Sequence, residues 1–362
     1  MNPRIVLLVL AALAALAGCV LNPVTGEQEL SLVSAAGELE LGDSIHPAVI
    51  YEYDGEYPDP ELKRYLGTIV QRLHRVSHRA DMPVDFKVLN SSIFNAFAIP
   101  GHVYVTRGAL AHITNEAEFA AVMGHELAHY TARHSAKQLT QQQLTGIGLS
   151  IAGLLVPEDD SLVATAILGV GVLGVKLAEL HYSRSQEEQA DRVGTYYLYR
   201  AGYEPSRMLD LQRLLHKVAG GGESSFLAEY FSTHPSEETR LRRIEEVIHD
   251  EKLDDGALLQ GDGTFAARWQ QRLGGLREAQ KAYDVFDQAG ALAVKGEHAR
   301  ALQLCRQAQS MAVRQAPFFR LEGDLLRATG RASDAVGAYR RAIEVDRRYQ
   351  PAVRGLGAAN LA

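Results

Sequence analysis

The segment Ala120-Ala121-Val122-Met123-Gly124-His125-Glu126-Leu127-Ala128-His129 constrains this 362-residue chain more than any other. Its surroundings, Glu116 to Lys137, have helical periodicity and contain no proline. Residues four apart on an α-helix are about 40° apart around the axis and roughly one turn along it. His125 and His129 can therefore reach one tetrahedral Zn2+ at about 2.0–2.1 Å. Glu126 then points to the neighbouring side, where a zinc-bound water would sit. From there it could take the water's proton and later pass it to a leaving amine. The pattern His-Glu-x-x-His also arises by chance, but here it lies on a helix that follows a small sheet.

A catalytic zinc needs a third protein ligand and an open fourth position. Glu187 and Asp191 are also four apart, in a second segment of helical character, Ser183 to Asp191. Glu187 is expected to complete a His2Glu site, with Glu188 as its rival. Asp191, one turn on, would accept a hydrogen bond from a ligand imidazole and fix its orientation. A third histidine ligand within the first segment, the metzincin arrangement, fails because position 135 is Ser. His134 falls on roughly the opposite helix face from His125 and is expected to be structural.

Ahead of this pair of segments, apolar residues recur at three and four from Glu61 to Ala80, which predicts an amphipathic helix. His74 and His78 fall within it and are expected on its solvated face. The stretches Val84 to Val88, Phe94 to Ile99 and Val103 to Val105 read as strands, the last two joined by a Pro100-Gly101 turn. Between Thr145 and Leu180 two apolar runs flank Pro157 to Asp160; each is shorter than the roughly 20 residues that span a bilayer. They are expected as buried or amphipathic helices, the alternative being a hairpin that dips into a membrane or lines an apolar substrate groove.

Beyond residue 270, Gly296, Ala301 and Ala308 recur at Gly330, Ala335 and Ala342, a constant offset of 34 residues. That period and those small residues predict stacked helical hairpins of the tetratricopeptide kind, completed by a helix such as Gly274 to Gln288. A plain helical bundle is the alternative. Cys305 occupies an apolar repeat position and is expected to be buried rather than nucleophilic.

The N-terminus differs in kind. Arg4 precedes an apolar run from Ile5 to Leu16, followed by Leu16-Ala17-Gly18-Cys19, which reads as a secretory signal. Small residues directly before a cysteine resemble the lipobox of bacterial lipoproteins. That resemblance implies cleavage before Cys19 and acylation of it, hence anchoring to a membrane. Val20 and Leu21 lack the Asp that retains such lipoproteins at an inner membrane, so the periplasmic face of an outer membrane is the expected site in a Gram-negative cell. Asn22 to Ser34 reads as a polar tether. A net charge of −7 without a basic stripe argues against nucleic acid as a partner.

Taken together, His125-Glu126-x-x-His129, Tyr182-Ser183-Arg184 and Glu187-x-x-x-Asp191 resemble the gluzincin family of CAAX prenyl proteases and the heat-shock protease X type. Asn95-Ala96-Phe97-Ala98, Pro100-Gly101 and Tyr104 to Gly108 are similar to that family's edge strand and hairpin, and Asn22 to Gly26 to the tether of its lipoprotein members. His102 departs from the pattern, standing where relatives usually carry a second Gly. The resemblance implies that substrate adds as a strand along Asn95 to Ala98. It also implies proton donation by Asp191 and an approach of His234 to the metal, either steadying an oxyanion or capping the zinc at rest. Arg240 matches a family position too, as an ion-pair partner.

The expected fold is α+β. A signal over 1–18 and a lipidated Cys19 with its tether over 19–45 lead into a mainly helical zincin-like domain with a small sheet over 46–255. An all-α tetratricopeptide-like repeat domain over 270–362 follows. The expected function is a zinc-dependent endopeptidase with one zinc per chain, metal ligands His125, His129 and Glu187, and catalytic Glu126, Asp191 and His234. Its substrates would be unfolded or misassembled envelope proteins, with envelope assembly machinery as a possible partner of the repeats. Two rival readings remain: a repeat-mediated chaperone or assembly factor whose metal site is silent or capped, and a membrane enzyme acting on lipidated or membrane-spanning substrates.

Overall fold

The computed structural model describes residues 19–141, 182–220, 230, 233–234, 238–311 and 314–361. The expected signal and the apolar region from Thr145 to Leu180 lie outside them. No helix among the described residues is long and apolar enough to cross a membrane.

β1 (Cys19–Leu21) and β2 (Gln28–Leu30) form an antiparallel pair. The turn between them is closed by buried Asn22, whose side-chain oxygen accepts from the Val24 amide at 2.9 Å. The stretch expected as a tether is therefore laid down on the body of the protein. Asn22 Nδ2 donates to the Ala132 carbonyl at 3.3 Å, and the Leu32 amide donates to Thr140 Oγ1 at 3.1 Å. Ser34 then caps α1 (Ala35–Glu52) through the Gly37 amide.

α2 (Pro60–His74) starts on an Asp59 cap with proline in its first turn and buries Leu62, Leu66, Ile69, Val70 and Leu73. It stops six residues before the sequence pattern does, and at its end the His74 ring turns inward and bonds the Met82 carbonyl at 2.7 Å. His74 is consequently buried, not solvated; His78 stays exposed but bonds Tyr197 Oη at 2.7 Å.

A three-stranded sheet follows, of order β3 (Asp85–Leu89), β5 (His102–Thr106), β4 (Ala96–Ile99). β5 is central, parallel to β3 and antiparallel to β4. Gly101, at φ +80°, makes the hairpin turn without help from position 102. His102 opens β5, buried, with its ring stacked 4.4 Å from that of His46. After the short α3 (Arg107–His112) comes α4 (Glu116–Thr131), capped by Asn115. It is buried on all sides except at Glu118, which fits its lack of a polar stripe.

α5 (Arg184–Arg200) begins with a reciprocal capping box between Ser183 and Gln186 and packs along α4. α6 (Arg207–Gly220) packs on both, and α7 (Glu238–Asp250) packs on α5 and α6. The remaining helices are α8 (Ala266–Arg272), α9 (Gly274–Val294), α10 (His298–Ser310), α11 (Ala316–Ala328), α12 (Ala332–Val345) and α13 (Gln350–Asn360). From α9 on, each packs on the next. Gly296 and Gly330, 34 apart, take the same left-handed conformation at equivalent turns, φ +77° and +75°. Cys305 is buried, with its thiol pushed up to about 12 by burial.

The fold is thus mainly helical with small sheets, an α+β arrangement. One apolar core runs from α2 and the sheet through α4 and on to Leu325 in α11. Polar contacts bind the late helices to the early ones. Trp269 Nε1 donates to the Ile113 carbonyl at 3.0 Å, and Tyr283 Oη donates to Asn90 Oδ1 at 2.7 Å, beneath the Arg107 guanidinium 3.6 Å from the ring centre.

Candidate metal centre

α4 and α5 cross where both carry glycine, Gly124 and Gly194, so their backbones meet closely. This crossing brings the Glu187 end of α5 over His125 and His129. His125 Nε2 lies 3.0 Å from His129 Nε2 and 3.5 Å from Glu187 Oε2, and His129 Nε2 lies 3.3 Å from Glu187 Oε1. His234 adds a fourth nitrogen, its Nδ1 being 2.9 Å from Glu187 Oε1 and 3.4 Å from His125 Nε2. A tetrahedral zinc with ligands at 2.0–2.1 Å holds its donors about 3.3–3.4 Å apart, so the spacing suits that ion. The donor types, imidazole nitrogen and carboxylate oxygen, suit it as well. Glu188, the rival ligand, instead pairs with Arg243 of α7.

Around these donors sits a second layer. Asp191 Oδ1 lies 3.0 Å from His125 Nδ1. Arg240 grips Asp191 through Nε at 2.7 Å and Nη2 at 2.8 Å, and reaches Glu187 Oε2 with Nη1 at 2.8 Å. Tyr182 stacks on His129 with ring centres 3.8 Å apart, and Tyr230 on His234 at 4.6 Å. Both oxygens of Glu126 are buried and make no hydrogen bond among the described residues; the nearest ionisable partner is His234 Nε2 at 3.6 Å.

The electrostatics divide the carboxylates. Burial raises Glu126, and the nearby His234 and His125 only partly offset it. Burial pushes Glu187 and Asp191 up too, but their charged neighbours win. His234 and Arg240 hold Glu187 far below the ordinary range, and Arg240 holds Asp191 below it. His125 is raised to about 10, since Asp191 and Glu187 outweigh its burial, whereas burial drives His129 well down. Two buried carboxylates thus stay charged, while the third keeps its affinity for a proton.

Sequence reasoning brought out His125, Glu126, His129, Glu187, Asp191 and His234, and all six meet here. It assigned no role to Tyr182, Tyr230 or Gln189. It also set His134 apart, yet His134 Nδ1 lies 2.8 Å from His129 Nδ1. The helix ends at Thr131, and Arg133 adopts a left-handed conformation (φ 59°). The chain after it therefore turns back, and helical phase no longer predicts where a side chain points.

A buried His-Glu-x-x-His helix faced by a glutamate from a second helix defines a zinc metallopeptidase centre. The family follows from the sequence of the same region: residues 60–248, more than half of the chain, match the peptidase family M48 model, and the chain belongs to that family. Peptidases of this family depend on zinc. The chain is 30% identical over 228 residues to the β-barrel assembly-enhancing protease of Escherichia coli K12, covering 60% of this chain and 45% of that protein. It is 28% identical over 235 residues to the mitochondrial metalloendopeptidase OMA1 of Schizosaccharomyces pombe, covering 64% of this chain and 67% of that one. A plant relative of the same name, from Arabidopsis thaliana, is 33% identical over 169 residues, 46% of this chain and 32% of that one. The chain spans about half the length of the β-barrel assembly-enhancing relatives it matches.

Proposed function

We propose that this protein is a zinc-dependent endopeptidase of the bacterial cell envelope that hydrolyses unfolded or misassembled proteins. The observation that carries this reading is the cluster itself, three donors from two helices beside a buried carboxylate, Glu126, that makes no hydrogen bond among the described residues. In this assignment His125, His129 and Glu187 hold the metal. When bound, zinc supplies a Lewis acid for a peptide carbonyl and lowers the pKa of a bound water. Glu126, already proton-hungry, accepts the proton of the attacking water and delivers it to the departing amine. Asp191, 3.0 Å from His125 Nδ1, is placed to take the hydrogen of that nitrogen and leave Nε2 for the metal, and Arg240 prevents the two structural carboxylates from repelling each other. The edge strand β4 is the place for an extended substrate, because among the described residues only β5 pairs with it, on one side.

The envelope location rests on the apolar N-terminal run ending at Cys19 and on the similarity to proteins named for β-barrel assembly. In this reading the signal is removed and a lipid on Cys19 anchors the chain at the periplasmic face of the outer membrane, with residues 46–255 as the catalytic domain. The 34-residue period and the matching turns at Gly296 and Gly330 support tetratricopeptide-like packing over 270–362, a surface for substrate or assembly partners. Removing metal from the full chain with a chelator should abolish cleavage of casein, and one equivalent of zinc should restore it. Cleavage that survives complete metal removal would contradict the reading. Mass spectrometry of the mature N-terminus tests the lipid; an unmodified Cys19 would remove the anchor.

One observation favours a second reading. His234 Nδ1 lies within 3.4 Å of both Glu187 and His125, where a catalytic site keeps its open position. In that reading the centre rests capped, and the repeat unit supplies chaperone-like binding that persists without cleavage. His234→Ala distinguishes the two: faster casein cleavage means a cap, and slower cleavage means a catalytic contribution.

A further inference from the structure

The two histidines of α4 are held from behind by different chemistry. His125 faces the carboxylate of Asp191. Among the described residues His129 faces no carboxylate on that side; its Nδ1 meets His134 Nδ1 at 2.8 Å, and His134 Nε2 meets Gln189 Oε1 at 2.8 Å. An amide oxygen accepts only, so the His134 hydrogen sits on Nε2 and donates to Gln189. His134 Nδ1 is then a bare lone pair and accepts the Nδ1 hydrogen of His129. That leaves the lone pair of His129 on Nε2, the atom turned toward Glu187 and His125.

We propose that His134 is a positioning residue for metal binding, a neutral imidazole that fixes the tautomer and the ring orientation of His129. The inference rests on the assignment of His129 as a zinc ligand, and it explains why no acidic residue is needed there. Glu126, Glu187 and Asp191 are all buried in this centre beside one buried arginine, Arg240. A further carboxylate behind His129 would add an uncompensated charge, whereas a histidine-to-glutamine relay orients the ring without one.

The surrounding fold gives His134 little freedom. It is 2% exposed, directly after Arg133 in its left-handed conformation. The Arg133 guanidinium is pinned by buried Glu38 of α1 and donates to the Val33 carbonyl at 2.8 Å. Arg79 braces the same glutamate at 3.0 Å. Tyr182, stacked on His129, bears on that ring from a further side, and its hydroxyl lies 3.3 Å from Ser135 Oγ. The N-terminal strap thus closes over the loop that sets the His129 ring.

The test compares His134→Leu, which removes the acceptor, with His134→Asn, whose amide oxygen can take the place of Nδ1. Zinc affinity of the full chain is measured by chelator competition, and the ligand field by the visible absorption of the cobalt(II)-substituted form. The expected result is an affinity about 10- to 100-fold weaker with shifted cobalt bands for leucine, and near wild-type values for asparagine. Wild-type affinity in both variants would overturn the proposal, and an equal loss in both would make the effect one of packing and overturn it too. If the leucine variant melts early without metal, Gln189→Leu carries the test: weaker zinc binding supports the relay, and unchanged binding overturns it. His129→Ala separates the two levels, because unchanged zinc affinity there would remove the ligand assignment itself.

Discussion

Gly194 of α5 lies so close to Gly124 of α4 that a Cβ on Gly194 would stand 3.0 Å from the Gly124 carbonyl carbon and from the His125 amide nitrogen. Met208 Cε would be nearer still, at 2.8 Å, but a methionine end can move and backbone cannot. The absence of a side chain at this crossing is what allows the glutamate of one helix to meet the histidines of the other.

Gly194→Ala is therefore expected to push α5 away from α4. Overpacking of this kind costs about 1–3 kcal/mol, and a displacement of Glu187 would also weaken zinc binding. Gly124→Ala, whose Cβ would meet its nearest atom at 3.3 Å, should be milder. Denaturant unfolding and zinc titration of both variants check the order.

Arg240 holds Glu187 and Asp191 in place, so Arg240→Met leaves two buried carboxylates without their cation. Loss of one partner from a buried pair costs about 3–5 kcal/mol, which should appear in denaturant unfolding of the metal-free chain at neutral pH. Both carboxylates have folded pKa values below their unfolded ones. Their stabilisation is thus complete above the ordinary carboxylate range, about pH 4, and is lost as pH falls through the lower folded values. The gap between wild type and variant should accordingly be widest near neutrality and close on acidification.

Glu126 has the opposite sign. Its folded pKa is raised, so the unfolded chain ionises first and the folded state loses stability as pH rises from about 4.3 through the folded value. Glu126→Gln should therefore raise the melting temperature of the metal-free chain at pH 7 and leave it unchanged near pH 3. A variant less stable than wild type at pH 7 would mean that the buried carboxylate has a partner.

The continuous core reaches Leu325, which predicts that residues 270–325 do not unfold as a unit separate from the peptidase core. Calorimetry should give one transition. Tyr283→Phe, which strands the Asn90 side-chain oxygen, should lower its stability by about 1–3 kcal/mol. Two resolved transitions would contradict the shared core.

The local chemistry of this centre was legible in the sequence because both halves lie on unbroken helices, where a spacing of four states which side chains share a face. His125, Glu126, His129, Glu187 and Asp191 were found that way. His234 was reached only through family resemblance, since a loop histidine carries no periodic signal. His134 was misplaced for the converse reason, a helix that ends two residues before Arg133 turns left-handed. The inward ring of His74 depends on the Met82 carbonyl beyond the end of its helix, and the strap from Asn22 to Glu38 on contacts with residues far along the chain. No local pattern encodes them: the Asn22 bond to Ala132 joins residues 110 apart.

The central claim is that this buried cluster is a peptidase centre whose proton acceptor is Glu126. The most direct measurement is cleavage of casein by the full chain and by Glu126→Gln, with zinc content determined for both. The account predicts equal zinc in the two proteins, cleavage by the wild type and at least a 100-fold loss in the variant, the usual order for removing a general base. Equal cleavage by both at equal zinc would contradict it.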